Sequence, residues 1–207
     1  MQLFVSAGAC CLGAHVVVHE LDLAVDVVTV PLRTPDSPIH RVNPLGRVPA
    51  LRLDDGTVLT ENSAILPFLA DQRPGTALFA PQGTAERARI QSWIGYVSAE
   101  IHVGCFRPIN RPERYSNDTG AHDGIRRRGR EQLKTALLHV ERHLETRRFL
   151  VGERFTIADA YLGVFARWVA ALGDEFSDLA ALHRFRTEYN ERPSVRAALA
   201  AETAAAA

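Results

Sequence analysis

The hydrophobic pattern of this 207-residue chain changes near residue 80, and this change constrains the fold more than any other feature. Before it, short β-type runs alternate with short helical runs. After it, apolar residues recur at the three-to-four-residue spacing of amphipathic helices. The chain is long enough for two domains of about 100 residues each. We therefore predict an α/β domain over residues 1–78 and an all-helical domain over residues 84–207.

The N-terminal part is predicted to have the element order β-α-β-β-β-α. Strands are expected at 2–5, 25–30, 48–53 and 57–59, helices at about 10–21 and after 62, and an extra turn near 39–42. A crossover helix between the first two strands makes that pair parallel. The Asp-Asp-Gly sequence at 54–56 predicts a tight hairpin, because Asp and Gly tolerate positive φ, so the last two strands are expected to be antiparallel.

The C-terminal part has no convincing strand pattern. A long amphipathic helix is expected from Thr84, a charged helix over 124–147, and two shorter helices near 177–189 and after Pro193. Thr156 and Asp159 have the spacing of a capping box and open an apolar helix that we expect at the centre of the domain. The alanines at 204–207 are expected to fray.

Charge and cysteine content argue against several classes of protein. The chain has 24 Lys and Arg against 24 Asp and Glu, so no global field attracts nucleic acid or an anionic membrane. Its three cysteines are too few for a disulfide framework and favour a reducing compartment. No signal-peptide pattern opens the chain, and no apolar run approaches the ~18 residues that span a bilayer. We expect a cytoplasmic protein without nucleic-acid or membrane partners.

Cys10 directly precedes the first strongly apolar helical run. A thiol there meets unpaired N–H groups and the positive end of the helix dipole, so we predict a pKa of ~3.5–7.5 instead of the usual ~8.5. The alternative is a buried cysteine that serves as a small apolar residue. Gly13 stands where a C-x-x-C motif has its second cysteine, which argues against a dithiol mechanism.

Four sequence blocks together resemble one enzyme family. They are GAC at 8–10, NPLGRVPAL at 43–51, LTENSAI at 59–65 and FTIADAYL at 155–162. In this order and spacing they resemble the cytosolic glutathione S-transferases, in particular the bacterial beta class, over essentially the whole chain. The resemblance implies a thioredoxin-like N-terminal domain, an all-α C-terminal domain and a homodimer. It also implies a role in detoxification, by conjugation of glutathione to a hydrophobic electrophile.

The resemblance places glutathione against two of these blocks. The Val48-Pro49 bond is expected to be cis, with the Val48 backbone pairing with the cysteinyl part of glutathione like an added strand. The helix N-terminus at Glu61 and Asn62 meets the γ-glutamyl carboxylate, while Glu61 attracts its ammonium group. Read without the neighbouring motifs, Pro49 is an ordinary trans proline, and Asn62 or Ser63 is a simple helix cap.

The resemblance also implies which groups surround the sulfur. Cys10 and His102 match the family's cysteine and histidine near glutathione, and Ser6 offers a hydroxyl on the first loop. Phe106 and Trp168 are expected to contact the second substrate.

The chain departs from the beta-class pattern at several positions. Cys11 stands where that class usually has serine, and the glutathione-contacting lysine has no clear match, so Arg33 or His40 is the candidate substitute. Three residues replace polar groups that reach glutathione across the dimer: Gly95, Ala99 and Val103.

The sequence leaves two alternatives to conjugation open. Cys10 forms a mixed disulfide with glutathione in one of them, which makes thiol-disulfide exchange the main activity. In the other, the protein is a non-catalytic ligand carrier or partner-binding regulator with the same fold. His15 and His19 have the spacing of a metal pair, but no third ligand is evident, so no metal is expected.

Overall fold

The computed structural model describes residues 1–205 and contains a four-stranded sheet in its N-terminal part. The elements of this part, in chain order, are β1 (Gln2–Val5), α1 (Leu12–Glu20), β2 (Asp26–Thr29), a 3₁₀ turn (Pro38–Arg41), β3 (Ala50–Arg52), β4 (Val58–Thr60) and α2 (Asn62–Asp71). The strand order is β2-β1-β3-β4, with β1 and β2 parallel and the other two pairs antiparallel. The predicted element order, crossover and hairpin are confirmed.

Helix α1 lies at the centre of the molecule. Its residues from Leu12 to Val18 are all buried, because it packs on the sheet and α2 at one side and on two C-terminal helices at the other. Phe4 pairs with Val28 on β2 and with Ala50 on β3, which fixes the register of the sheet beneath this helix. The end of β1 and the start of α1 therefore lie at a fixed place between the two halves of the chain.

The C-terminal part is helical. Its elements are α3 (Ala85–Tyr96), a π-helical segment (Val97–Phe106), α4 (Arg107–Asn110), 3₁₀ turns (Pro112–Arg114 and Thr119–Ala121), α5 (His122–Glu145), α6 (Ile157–Ala170), a 3₁₀ turn (Asp174–Phe176), α7 (Ala180–Glu191) and α8 (Pro193–Ala204). Thr84 caps α3 by accepting a hydrogen bond from the Arg87 N–H. The predicted capping box of Thr156 and Asp159 is present, and α6 is buried along most of its length as expected.

Three local predictions need correction. Helix α1 begins at Leu12, so Cys10 lies in the turn before it. Glu61, not Asn62 or Ser63, occupies the N-cap position of α2, and its side chain makes no capping bond. A separate 3₁₀ turn takes up the chain before α7, which starts at Ala180 and not near 177.

Two further predictions concern the ends of elements and the membrane. The tail at 204–207 is predicted to fray, and its last two residues lie outside the described range. Over residues 1–205, the helices include none that combines the length and apolar character needed to cross a membrane. The exact boundary between the two halves stays a prediction.

Candidate active site

Three segments that are distant in sequence meet at the end of β1. The Cys10 thiol donates a hydrogen bond to the Val48 carbonyl over 3.7 Å, and the Asn62 amide donates to the Cys10 carbonyl over 3.1 Å. The Val48-Pro49 peptide bond is cis, as predicted. The structure thus brings together the first loop, the start of β3 and the start of α2, as the sequence blocks imply.

Burial overturns the predicted acidity of Cys10. Desolvation, with a smaller contribution from the Glu61 carboxylate, raises the pKa of the Cys10 thiol to about 12. The prediction assumed that the thiol faces the free N–H groups of α1, but that helix begins two residues later and the thiol points to a carbonyl. Cys10 is therefore a neutral hydrogen-bond donor at neutral pH and not a thiolate.

The start of α2 has an unusual backbone conformation. Glu61 has φ 68°, a region that residues other than glycine rarely adopt, and its side chain is exposed. Such conformations cluster at functional sites because the surrounding structure must hold them in place. Asn62 is buried, and its amide ties α2 to the Cys10 loop instead of capping the helix. Its Oδ1 atom has no hydrogen-bond partner among residues 1–205.

His102 lies in the π-helical segment beside an aromatic wall. Its ring centroid is 5.1 Å from that of Phe165 and 5.9 Å from that of Trp168, and Phe106 lies 5.2 Å from Trp168. Burial, with Arg107 nearby, lowers the pKa of His102 to about 4, so the ring is neutral at neutral pH. The predicted histidine and the predicted second-substrate residues are thus neighbours, with Phe106 buried and Trp168 only half-buried.

Tyr161 connects this wall to the cysteine, and sequence reasoning missed it. Its hydroxyl lies 3.4 Å from His102 Nδ1 and close to Cys10, Asn62 and Ser98. Burial raises the pKa of Tyr161 above its ordinary value, so the hydroxyl keeps its proton. A buried phenol oxygen needs a hydrogen-bond partner, and that is the signal the sequence offers, but Tyr161 stands within an apolar helix where its hydroxyl attracts no notice.

No hydrogen bond joins Arg33 or His40 to the Cys10 loop or to the start of α2 within residues 1–205. Arg33 is exposed on the loop after β2 with φ 66°, and within residues 1–205 it makes no hydrogen bond to Cys10 or Glu61. His40 is also exposed and packs against Gly46, where an added Cβ would lie within 3.3 Å of the ring.

The backbone of Ser6 bonds to the second cysteine, and the role expected for its hydroxyl stays a prediction. The Cys11 thiol is buried, accepts from the Ser6 N–H over 3.2 Å and donates to the Ser6 carbonyl over 3.3 Å. Cys11 therefore holds the two ends of the loop between β1 and α1 together. Burial raises the pKa of its thiol.

Three of the departures from the beta-class pattern lie on one helical stretch. Gly95 and Ala99 are exposed, and Val103 is half-buried.

The His15 and His19 rings are 5.0 Å apart, and in residues 1–205 no group of three histidine, cysteine or acidic side chains is placed to hold a metal ion.

Sequence comparisons with known proteins identify relatives of both halves of the chain. The N-terminal domain family of glutathione S-transferases matches residues 7–72, and the C-terminal domain family matches residues 123–201. Glutathione S-transferase GstA of Escherichia coli O157:H7 is 37% identical, and GST-4.5 of Xanthomonas campestris pv. campestris is 36% identical, each with 98% of both chains covered.

Solved structures of glutathione S-transferases also superpose on nearly the whole of this chain. The beta-class enzyme of Sphingomonas chungbukensis superposes with a TM-score of 0.87 at 36% identity, covering 98% of each chain. A sphingomonad glutathione S-transferase in complex with glutathione has a TM-score of 0.87 at 33% identity, covering 98% of this chain and 99% of its own. This chain therefore belongs to the glutathione S-transferase family.

Proposed function

We propose that this glutathione S-transferase binds glutathione along Val48, Glu61 and Asn62, and joins its sulfur to a hydrophobic electrophile held against Phe106 and Trp168. The convergence of the Cys10 loop, the Val48 backbone and the start of α2 is the observation that supports this most strongly. It supplies an extended backbone edge, a helix N-terminus and a carboxylate within one small region.

In this proposal each part of glutathione has its own partner. The γ-glutamyl carboxylate meets the N-terminus of α2, and its ammonium group pairs with Glu61, whose side chain is exposed and available. The cysteinyl part runs along Val48, which directs the sulfur towards Cys10. Arg33 approaches the other carboxylate from the loop after β2.

The chemistry follows from the protonation states around the sulfur. The cysteinyl N–H of glutathione takes the place of the Cys10 thiol at the Val48 carbonyl. The neutral thiol of Cys10 and the hydroxyl of Tyr161 then each have one proton to donate to the sulfur, which favours the thiolate of glutathione over its thiol. The thiol proton passes to solvent, the sulfur forms a C–S bond, and the leaving group departs with the electron pair of the broken bond. Neutral His102, in the tautomer that carries the proton on Nδ1, donates to the Tyr161 oxygen 3.4 Å away and so leaves the hydroxyl proton for the sulfur.

Thiol-disulfide exchange at Cys10 stays a prediction. The half-buried thiol borders the proposed sulfur site, which favours a mixed disulfide, but the attacking species in such exchange is a thiolate. A pKa of about 12 makes that species scarce at neutral pH, so we expect conjugation to dominate.

We also propose that the protein is a homodimer and works in the cytoplasm. The exposed Gly95 and Ala99 leave room for close approach of a second subunit but supply no side-chain hydrogen bond to its ligand. All three cysteines are free thiols, as expected where a glutathione pool keeps them reduced.

Calorimetric titration with glutathione and with S-hexylglutathione tests the binding site. We expect the wild type to bind both, and Glu61→Gln to weaken glutathione binding about tenfold, because one charge-assisted contact to the ammonium group is lost. The matched control is Glu145→Gln. Glu145 is an exposed acidic residue at the end of α5, and we expect its substitution to leave binding unchanged.

Two outcomes contradict the proposal at different levels. If the wild type binds neither ligand, the catalytic function is wrong and the non-catalytic alternative replaces it. If the dissociation constant of Glu61→Gln equals that of the wild type at low salt, Glu61 is not part of the site.

A further inference from the structure

An open groove with a volume of about 570 Å³ lies where α6, α7 and α8 meet. Each helix contributes one arginine to its lining, namely Arg167, Arg186 and Arg196. Small-molecule sites in proteins have volumes of about 300–1,000 Å³, so the groove has the size of such a site. We propose that it binds a phosphate monoester of nucleotide size, with the three guanidinium groups around the phosphate.

The groove lies on the other side of α6 from the aromatic wall. Arg167 and Trp168 are neighbours in this helix, and successive residues point about 100° apart around a helix axis. Trp168 packs against His102 and Phe106. Arg167 instead donates a hydrogen bond to Oδ1 of Asn190 on α7. The proposed phosphate site is therefore separate from the proposed glutathione site.

The arginines of the groove lack the acidic partners that their neighbours have. Arg148 pairs with Glu188, and Arg192 pairs with Glu20. Within residues 1–205, none of the three groove arginines forms an ion pair with a carboxylate. Glu191 is the one acidic residue among those that line the groove. Three positive charges and one negative charge leave the groove with a net charge of +2.

The donors in the groove suit a phosphate group. A guanidinium presents its N–H groups as a planar fork that matches two phosphate oxygens at a time. Asn190 uses its Oδ1 atom to hold Arg167, so its NH₂ group is left to donate to a ligand. Arg196 lies in the first turn of α8, where the positive end of the helix dipole adds to the attraction.

The net charge selects among anions. A phosphate monoester carries about 1.5 to 2 negative charges at neutral pH, which balances the groove. A single carboxylate leaves about one positive charge uncompensated. Inorganic phosphate has the charge but fills only a small part of the volume, which leaves room for an organic group.

Calorimetric titration with AMP, adenosine and inorganic phosphate, at constant ionic strength, tests the proposal. We expect AMP to bind at least about tenfold more tightly than adenosine, because only AMP carries the phosphate. Inorganic phosphate is expected to compete with AMP more weakly than AMP binds. Saturating S-hexylglutathione is expected to leave the dissociation constant of AMP unchanged, since the two sites are separate.

Variants of the lining residues are expected to change AMP binding in opposite directions. Arg186→Gln and Arg196→Gln each remove one guanidinium and are expected to weaken it about tenfold. Glu191→Gln removes a repelling charge and is expected to strengthen it about threefold. The matched control is Arg142→Gln, because Arg142 is exposed on α5 outside the groove and its loss changes the net charge equally. We expect this control to bind AMP as the wild type does.

The proposal is wrong if adenosine binds as tightly as AMP, or if Arg142→Gln weakens AMP binding as much as Arg186→Gln does. Displacement of AMP by S-hexylglutathione also contradicts it, because AMP then lies in the glutathione site. Binding of inorganic phosphate as tight as that of AMP overturns the organic part of the ligand. If Arg186→Gln does not fold, the exposed Arg196 provides the variant that is read in its place. These titrations need no glutathione turnover, so their result is independent of the proposed function.

Discussion

Cys10 shows how burial competes with a helix N-terminus at a single residue. The field of a helix end is worth up to about 2 kcal/mol for a favourably placed charge. Desolvation shifts the pKa of a fully buried group by up to 3–5 units, and it is the larger effect at Cys10 although that residue is only partly buried. Burial therefore decides the outcome, and the pKa of Cys10 rises to about 12.

This protonation state predicts a specific behaviour of cysteine variants. Cys10→Ala is expected to abolish the mixed disulfide formed with oxidised glutathione. Conjugation to an aromatic halide is expected to fall by no more than about tenfold, because only one hydrogen bond to the sulfur is lost. Cys11→Ala, the control, removes a thiol that bonds to Ser6 and is expected to keep both activities.

Mass spectrometry and a thioether assay separate these outcomes. A mixed disulfide on Cys11 or Cys105, with Cys10 unmodified, contradicts the assignment of the accessible thiol. Loss of conjugation by several orders of magnitude in Cys10→Ala contradicts the view that Cys10 contributes only one hydrogen bond to the sulfur.

The sequence pattern predicts some residues that lie near Cys10 and gives no indication of others. Val48, Glu61 and Asn62 belong to contiguous blocks, so their proximity to Cys10 was predictable once the blocks were read together. Glu202 bonds to Gly8 across 194 residues of sequence, and nothing in the local pattern indicates such a contact.

At the scale of elements, the helix that carries His102 differs from its prediction in hydrogen bonding and not in position. Its apolar spacing predicted one long helix from Thr84, and the chain is helical there. From Val97 to Phe106, however, the backbone is π-helical, which periodicity does not distinguish from an α-helix. π-Helical turns are frequent at functional sites, and this one presents His102 to Tyr161.

The N-terminus of α6 gives a prediction about stability and pH. The buried Asp159 carboxyl accepts from the Leu150 N–H, the Thr156 N–H and the Thr156 hydroxyl, and burial raises its pKa to about 6. Asp159→Asn is expected to cost about 2–3 kcal/mol of unfolding free energy, because an NH₂ group replaces one of the two oxygens that accept from buried donors. Asp36→Asn, on an exposed loop, is the control.

The raised pKa of Asp159 sets the sign of the pH dependence. Its pKa is higher in the folded state than the ordinary 3.8, so the stabilisation from protonation is complete below pH 3.8 and is lost as the pH rises through 6. Urea unfolding is therefore expected to show a larger gap between wild type and Asp159→Asn at pH 4.5 than at pH 7.5. A gap that widens with rising pH contradicts this.

At the scale of the whole molecule, the proposed site lies where the two halves of the chain meet. The Ile157 N–H bonds to the Leu78 carbonyl, Tyr161 of α6 lies beside Cys10, and Glu202 of α8 bonds to Gly8. The change of periodicity near residue 80 predicted both halves, because each has its own spacing of apolar residues. How α6 and α8 dock on α1 depends on side-chain packing between distant segments, which no local pattern contains.

The central claim is that glutathione supplies the nucleophile, as a thiolate stabilised by neutral donors. Ultraviolet difference titration of thiolate absorbance tests it most directly, with the wild-type protein measured with and without saturating glutathione. Burial raises the pKa values of the protein's own thiols, to about 12 for Cys10 and about 11 for Cys105, so they contribute little signal below pH 9. We predict a saturable thiolate signal from bound glutathione with a pKa at least about one unit below the ordinary thiol value of ~8.5. A bound thiol that titrates at or above ~8.5, or an equal signal from the protein alone, contradicts the claim.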